Sequence, residues 1–202
     1  HAHPVLREAQ ESRGLGDVYK RQFQDNMKDS GFEINSENAF YNIDNKSVKI
    51  KVNACGVNFA DVLTIKGRYQ ERPRPPFSPG LEISGEIIAI GENVTEHRIG
   101  DLVMSIMKYG GYKSEIVVPS ENTYKIPSKM PLDIAAGFPV IYGTAYSALV
   151  TCAKIKKGET CLILGATGGV GIAAVEIAKA LGSKVIACGG SDSKLKSCIS
   201  AL

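Results

Sequence analysis

The residues best suited to chemistry are the run Gly165-Ala166-Thr167-Gly168-Gly169-Val170-Gly171. It follows Thr160 to Leu164, a short continuous apolar run typical of a parallel strand buried on both faces, and it opens a helix. Glycine here lets the backbone approach a bound group. N–H groups at a helix start, with the helix dipole behind them, stabilise negative charge. A pyrophosphate suits such a turn. The second apolar run, Lys184 to Cys188, completes the strand, turn, helix and strand order that a dinucleotide site requires. Thr167, Gly168, Gly169 and Val170 are therefore candidate cofactor-binding residues; the alternative is a tight turn with no ligand.

Dinucleotide folds usually end the second strand with an acid that accepts hydrogen bonds from the ribose 2′-hydroxyl, about 20 residues after the glycines. Gly189 and Gly190 stand there instead. No carboxylate at that place repels a 2′-phosphate, Ser191 can donate a hydrogen bond and Lys194 can supply positive charge, so NADPH is expected rather than NADH. Gly190, Ser191 and Lys194 join the candidate cofactor set. Asp192 facing the ribose, with Lys194 an ordinary solvated lysine, is the competing reading.

Several elements must position these residues. In the helix after the turn, Val170, Ala173, Ala174, Ile177 and Leu181 share one face at helical spacing, and Gly182 stands where a C′ glycine ends it. Upstream, Val48, Ile50, Val52 and Ala54 alternate with Lys49, Lys51 and Asn53, the pattern of a half-buried strand. Ile83 to Ile90, Leu102 to Ile106 and Ser114 to Val118 are further strand candidates. They are separated by Gly91-Glu92-Asn93, Gly100-Asp101 and Gly110-Gly111, where glycine permits positive φ. The first half is thus a turn-rich β domain, and the Ser-Lys-Met linker between Pro127 and Pro131 places the boundary near Ser128. Residues 23–128 form the first domain and 129–202 the second; residues 1–22 show no periodicity and read as a non-native or disordered leader.

Composition narrows the classes. The chain has 202 residues, 44% of them apolar and 22% charged, which suits a globular protein with a real core. Its formal net charge of +3 comes from scattered basic residues, which argues against a nucleic-acid partner. No charged residue occurs between Asp133 and Lys154, yet Gly137, Pro139, Gly143, Thr144, Ser147 and Thr151 mark a buried, interrupted helix rather than a membrane span. Five cysteines without paired short spacing point to a reducing compartment: cytoplasmic, with a mitochondrial one left open.

The segments Ala54-Cys55-Gly56-Val57-Asn58-Phe59-Ala60-Asp61-Val62-Leu63, Gly67-Arg68-Tyr69 and Pro76-Phe77-Ser78-Pro79-Gly80-Leu81-Glu82 closely resemble the zinc-free quinone oxidoreductase branch of the medium-chain dehydrogenase/reductase superfamily. Gly100-Asp101, Gly110-Gly111-Tyr112, Gly143-Thr144-Ala145-Tyr146 and the glycine turn continue the match over Val48 to Leu202. The resemblance implies an α/β protein: a GroES-like β-rich substrate domain, then a Rossmann domain cut short after two of its usual strands, about six in all. It implies NADPH as cofactor, hydride transfer to a quinone or to the β-carbon of an enone, and a homodimer for the full-length protein. Asn58 and Tyr69 would then be catalytic and cofactor-contacting, with Asn58 the donor that polarises the acceptor, and Thr144 would touch the cofactor. Zinc-dependent members carry a Cys at the place of Asn58 and a His at that of Leu81, so no metal is expected. Glu82 resembles the acid that follows the lost ligand and reads as structural.

Two other functions fit the same residues. An enoyl-thioester reductase would use Arg68, Arg72 and Arg74 for a phosphopantetheine substrate. A non-catalytic NADPH-binding structural or regulatory protein would keep the cofactor for stability alone. An incomplete parallel sheet also predicts poor solubility and little activity for the isolated chain.

Overall fold

The computed structural model describes residues 43–200. The expected leader over residues 1–22 and the strand remnant at Phe23-Gln24 lie outside the described residues.

The described residues form seven strands and five α-helices. The first compact unit holds β1 (Ser47–Cys55), α1 (Phe59–Ile65), β2 (Glu82–Ile90), β3 (Leu102–Ile106), β4 (Glu115–Pro119), β5 (Thr123–Lys125) and α2 (Leu132–Ala136). Its sheet runs in the order β4-β1-β2-β3-β5, with every pairing antiparallel. Alternation in β1 works as expected: Val48 and Ile50 are fully buried, and Lys51 and Asn53 face water. They pack with Ile83, Ile87, Val94, Val103, Ile116 and Val118 into one cluster. Burying each such aliphatic side chain contributes about 1.5–3 kcal/mol. β5 is the strand that sequence reading misses; it is three residues long and pairs Thr123 to Lys125 with β3.

Two turn glycines behave as expected, Gly100 at φ +90° and Gly110 at φ +108°. Gly91 does not, because its φ is not positive; it is required since an added Cβ would overlap the Asp44 carbonyl oxygen.

The first compact unit runs on to Gly137. The reason is α2, which packs on β1, β2 and β3 and whose Leu132 carbonyl accepts a 2.5 Å hydrogen bond from Ser84 Oγ.

The second unit holds α3 (Phe138–Tyr146), a π-helical turn over Ser147–Cys152, β6 (Thr160–Leu164), α4 (Gly169–Ala180), β7 (Lys184–Cys188) and α5 (Asp192–Ser200). β6 and β7 pair in parallel from Thr160–Lys184 to Leu164–Cys188. The apolar stretch after Asp133 is interrupted as expected, breaking at Gly137, but it is only partly buried. Ala135, Ala136 and Ala145 are inside, while Ile134 and Tyr146 are exposed. Among the described residues no helix is long and apolar enough to cross a membrane.

Two burial expectations need correction. β6 is not covered on both faces: Cys161 and Ile163 join the cluster under α4, whereas Leu162, Leu164 and Ile186 of β7 are exposed on the other side. Helix α4 buries the stripe from Val170 to Leu181 only in part, at Ala173 and, half-buried against the cluster, Ala174. Its buried positions are Ala173, Val175 and Ala178, because the helix packs on α3 as well as on the sheet, and Val170 and Leu181 sit at its open ends. Gly182 does end the helix: its N–H donates to the Lys179 carbonyl and that of Ser183 to the Ala178 carbonyl, a Schellman pattern.

Candidate functional site

The glycine turn leaves β6 at Gly165, whose φ is +69°. The Gly168 N–H donates to the Gly165 carbonyl at 3.0 Å, and the Ala166 N–H to the Cys188 carbonyl at 2.9 Å, which ties the turn to the end of β7. The first helical bond runs from the Ile172 N–H to the Gly168 carbonyl. The N–H groups of Gly169, Val170 and Gly171 thus have no acceptor within the helix, and Gly168, Gly169 and Val170 are exposed. Gly171 makes the close approach possible, because a Cβ there would overlap the Gly165 carbonyl oxygen. This exposed cradle, at the start of a twelve-residue helix, fits a pyrophosphate.

The end of β7 lies against the same turn, as an ideal Cβ on Gly189 would come 3.0 Å from Thr167 Cγ2. Both strands therefore deliver their C-terminal ends to one edge, where open α/β sheets bind ligands. Gly190 and Lys194 are exposed there, Ser191 is half-buried with its Oγ 2.9 Å from Ser193 Oγ, and Asp192 opens α5 on the same stretch.

Helix α3 lies against α4. Ile141 Cγ2 would be 3.2 Å from a Cβ on Gly169, the Tyr142 hydroxyl donates to Glu176 Oε2, and Phe138 stacks on Tyr142 with centroids 4.1 Å apart. The bond to Glu176, with burial and the Glu176 charge adding to it, pushes the Tyr142 phenol up to about 12. Thr144 is exposed on this helix.

In the first unit, Asn58 joins β1 to α1. Its N–H donates to Asp61 Oδ2 at 2.8 Å and its Nδ2 to Glu82 Oε1 at 2.9 Å. Asp61 also accepts the Gly80 N–H at 3.1 Å and the Tyr112 hydroxyl at 3.0 Å. Asp61 and Glu82 are each 2% exposed. Burial raises the Asp61 carboxyl above its ordinary range, against the pull of the hydrogen bonds from Asn58, Tyr112 and Gly80. Burial likewise pushes the Cys55 thiol up, helped by the charges of Asp61 and Glu82, and its Sγ is 3.1 Å from the Glu82 carbonyl oxygen. Gly56 lets Glu82 in, since a Cβ there would overlap its carboxyl group.

Sequence reading singles out Asn58 as a candidate but not the framework around it. An acid three residues after an N-cap asparagine was the available signal for Asp61; Glu82 and Tyr112 carry none, as only the fold brings them in. Tyr69 is half-buried beyond α1, and its carbonyl accepts the Arg72 Nε–H at 3.3 Å. No hydrogen bond joins Tyr69 to Asn58 among the described residues. Leu81 is 9% exposed and offers no ligand atom, and among the described residues no three His, Cys, Asp or Glu side chains are grouped to hold a metal.

Residues 44–128 match the alcohol dehydrogenase GroES-like domain. That domain ahead of a strand, glycine turn, helix and strand is the arrangement of medium-chain dehydrogenases/reductases, with the second unit a partial Rossmann fold. Quinone oxidoreductase-like protein 2 of Bos taurus is 42% identical over 148 residues, covering 73% of this chain and 42% of that protein. The chain thus spans less than half the length of that relative. Among solved structures, the CurK enoyl reductase superposes with a TM-score of 0.74 at 34% identity, covering 80% of this chain and 51% of the other. The quinone oxidoreductase from Thermus thermophilus, also solved in complex with NADPH, gives 0.71 at 32% identity over 81% and 52%. The chain is thus similar to quinone oxidoreductases of the medium-chain dehydrogenase/reductase superfamily, and its residues 44–128 match the GroES-like domain of alcohol dehydrogenases.

Proposed function

We propose that the full-length protein is an NADPH-dependent reductase of quinones or α,β-unsaturated carbonyls that works without zinc. The observation that carries this reading is the turn from Gly165 to Gly171, where the exposed N–H groups of Gly169 and Val170 at the start of α4 have no acceptor within the helix. The nicotinamide, when bound, supplies the hydride. Thr167, Gly168, Gly169 and Val170 hold the phosphates through the helix start, and Thr144 contacts the cofactor from α3. Gly190, Ser191 and Lys194 receive the 2′-phosphate: glycine leaves space, the hydroxyl donates, and the ammonium neutralises charge. Asn58 polarises the acceptor oxygen by hydrogen bonding, the part a metal plays elsewhere in the superfamily, and Tyr69 lines the substrate side. The described cysteines are free thiols, which supports a reducing compartment, the cytoplasm or mitochondrion. A homodimer is the assembly we expect.

The test follows NADPH consumption by the full-length protein with a quinone and an enone, beside the Lys194→Ala variant. Turnover is expected, and the variant should raise KM for NADPH about tenfold while leaving KM for NADH unchanged, the loss of one charge-assisted contact. Equal effects on both cofactors would remove Lys194 from the phosphate site. Tight NADPH binding without any turnover would instead favour a non-catalytic, structural or regulatory role.

The likeness to the CurK enoyl reductase favours one second reading, reduction of an enoyl thioester. Arg68, Arg72 and Arg74 are exposed around Tyr69 and are the side chains available to a phosphopantetheine group. Faster turnover of a crotonyl thioester than of any quinone would establish it.

A further inference from the structure

Both buried acids of the first unit meet at Asn58, and they do different things. Asp61 accepts the Asn58 main-chain N–H and so fixes where the residue sits; Glu82 accepts from its side chain, at 2.9 Å. The carboxamide turns Nδ2 toward Glu82, and as long as Glu82 is ionised, and so carries only acceptors, no other branch of the amide fits there. Flipping the amide would set Oδ1 against a carboxylate oxygen with no proton between them, in a place where water does not compensate, since Glu82 is 2% exposed. The strand holds Glu82 in that position through its β2 pairing with Ile106, and the bare backbone at Gly56 admits the carboxyl group. Nothing in the linear pattern announces this pair, because 24 residues separate its members.

We infer that Glu82 is a positioning residue: its buried carboxylate locks the Asn58 carboxamide in one orientation, nitrogen toward Glu82, and so decides which polar atoms Asn58 offers to a ligand. The inference rests on the reductase reading for its catalytic consequence, while the lock itself is a property of the chain alone. One N–H of Nδ2 is committed to Glu82 and the other is left to donate. A neutral amide at position 82 could donate or accept, so that contact would no longer select the orientation of Asn58, which would be left to the weaker hold of the Asp61 main-chain N–H on the Asn58 side chain in the capping box, and the donor would face a ligand only part of the time.

Two measurements test this. In the first, the side-chain amide protons of Asn58 are followed by nitrogen–proton NMR in the chain and in Glu82→Gln, with the amide signals of Gly56 and Gly80 reporting that the fold is kept. The two Nδ2 protons should be well separated in the parent, one of them bonded to a carboxylate, and should converge in Glu82→Gln; unchanged signals would overturn the lock. The second is a double-mutant cycle on kcat/KM in the full-length protein with Glu82→Gln, Asn58→Ala and both. Glu82→Gln should cost about tenfold when Asn58 is present and nothing further when it is alanine. The same loss in both backgrounds would show that Glu82 does not act through Asn58 and would overturn the inference. Absence of turnover in the parent would defeat the reductase reading, and the NMR signature would still decide the lock.

Discussion

Asp61 shows how a buried charge is kept at a site. Three donors converge on its carboxylate, from Asn58, Gly80 and Tyr112, and they draw the start of α1, the Pro79-Gly80 segment and the loop before β4 onto one point. Asp61→Asn keeps the shape but replaces one acceptor oxygen with an NH₂ group, so at least one of those donors faces another donor. We expect a loss of about 2 kcal/mol in a denaturant titration, with the Tyr112→Phe variant losing less because it leaves no buried donor unpaired. A smaller loss in Asp61→Asn than in Tyr112→Phe would mean that the carboxylate is not the hub. At this scale Asn58 was legible through its resemblance to a familiar segment, and Asp61 through its spacing. Glu82 passed for a purely structural acid, and its bond to Asn58 appears only when β2 is laid beside β1.

Between elements, the pair Tyr142 and Glu176 joins α3 to α4, just behind the helix start that forms the candidate phosphate cradle. The folded-state pKa of Tyr142 is raised from 10.0 to about 12, so the folded protein keeps the phenolic proton where the unfolded chain has lost it. The stability contributed by the bond is therefore fully present below pH 10 and disappears as pH rises through about 12. Thermal unfolding across that window should fall more steeply for the parent than for Tyr142→Phe, and parallel curves would show that the bond does not link the helices. Element boundaries followed from local rules where those rules dominate: β6, β7 and the Gly182 stop all lie where periodicity and capping put them. The buried face of α4 did not. A helix packed on two neighbours buries residues that a single-stripe pattern leaves out, Val175 and Ala178 among them.

Over the whole chain, two units form, each around its own apolar cluster. In the second, Leu162, Leu164 and Ile186 leave one side of the β6–β7 pair open, with exposures of 58%, 75% and 46%. A contiguous apolar face of this kind should bind a hydrophobic-surface dye and promote self-association of the chain. Leu162→Thr combined with Ile186→Thr should lower dye fluorescence and raise the concentration at which the chain stays monomeric, as read by light scattering. Unchanged values would locate the sticky surface elsewhere, Phe59 at 76% exposure being the next choice. The sequence by itself determined the order of the main strands, the turn at Gly165 to Gly171 with its helix, and the resemblance of the chain, because apolar patterning, helix capping and glycine spacing are local properties that survive in one dimension. Only the tertiary structure decided that Glu82 and Tyr112 belong with Asn58 and Asp61, and which faces of β6 and α4 are covered, because those outcomes depend on contacts between residues far apart in the chain.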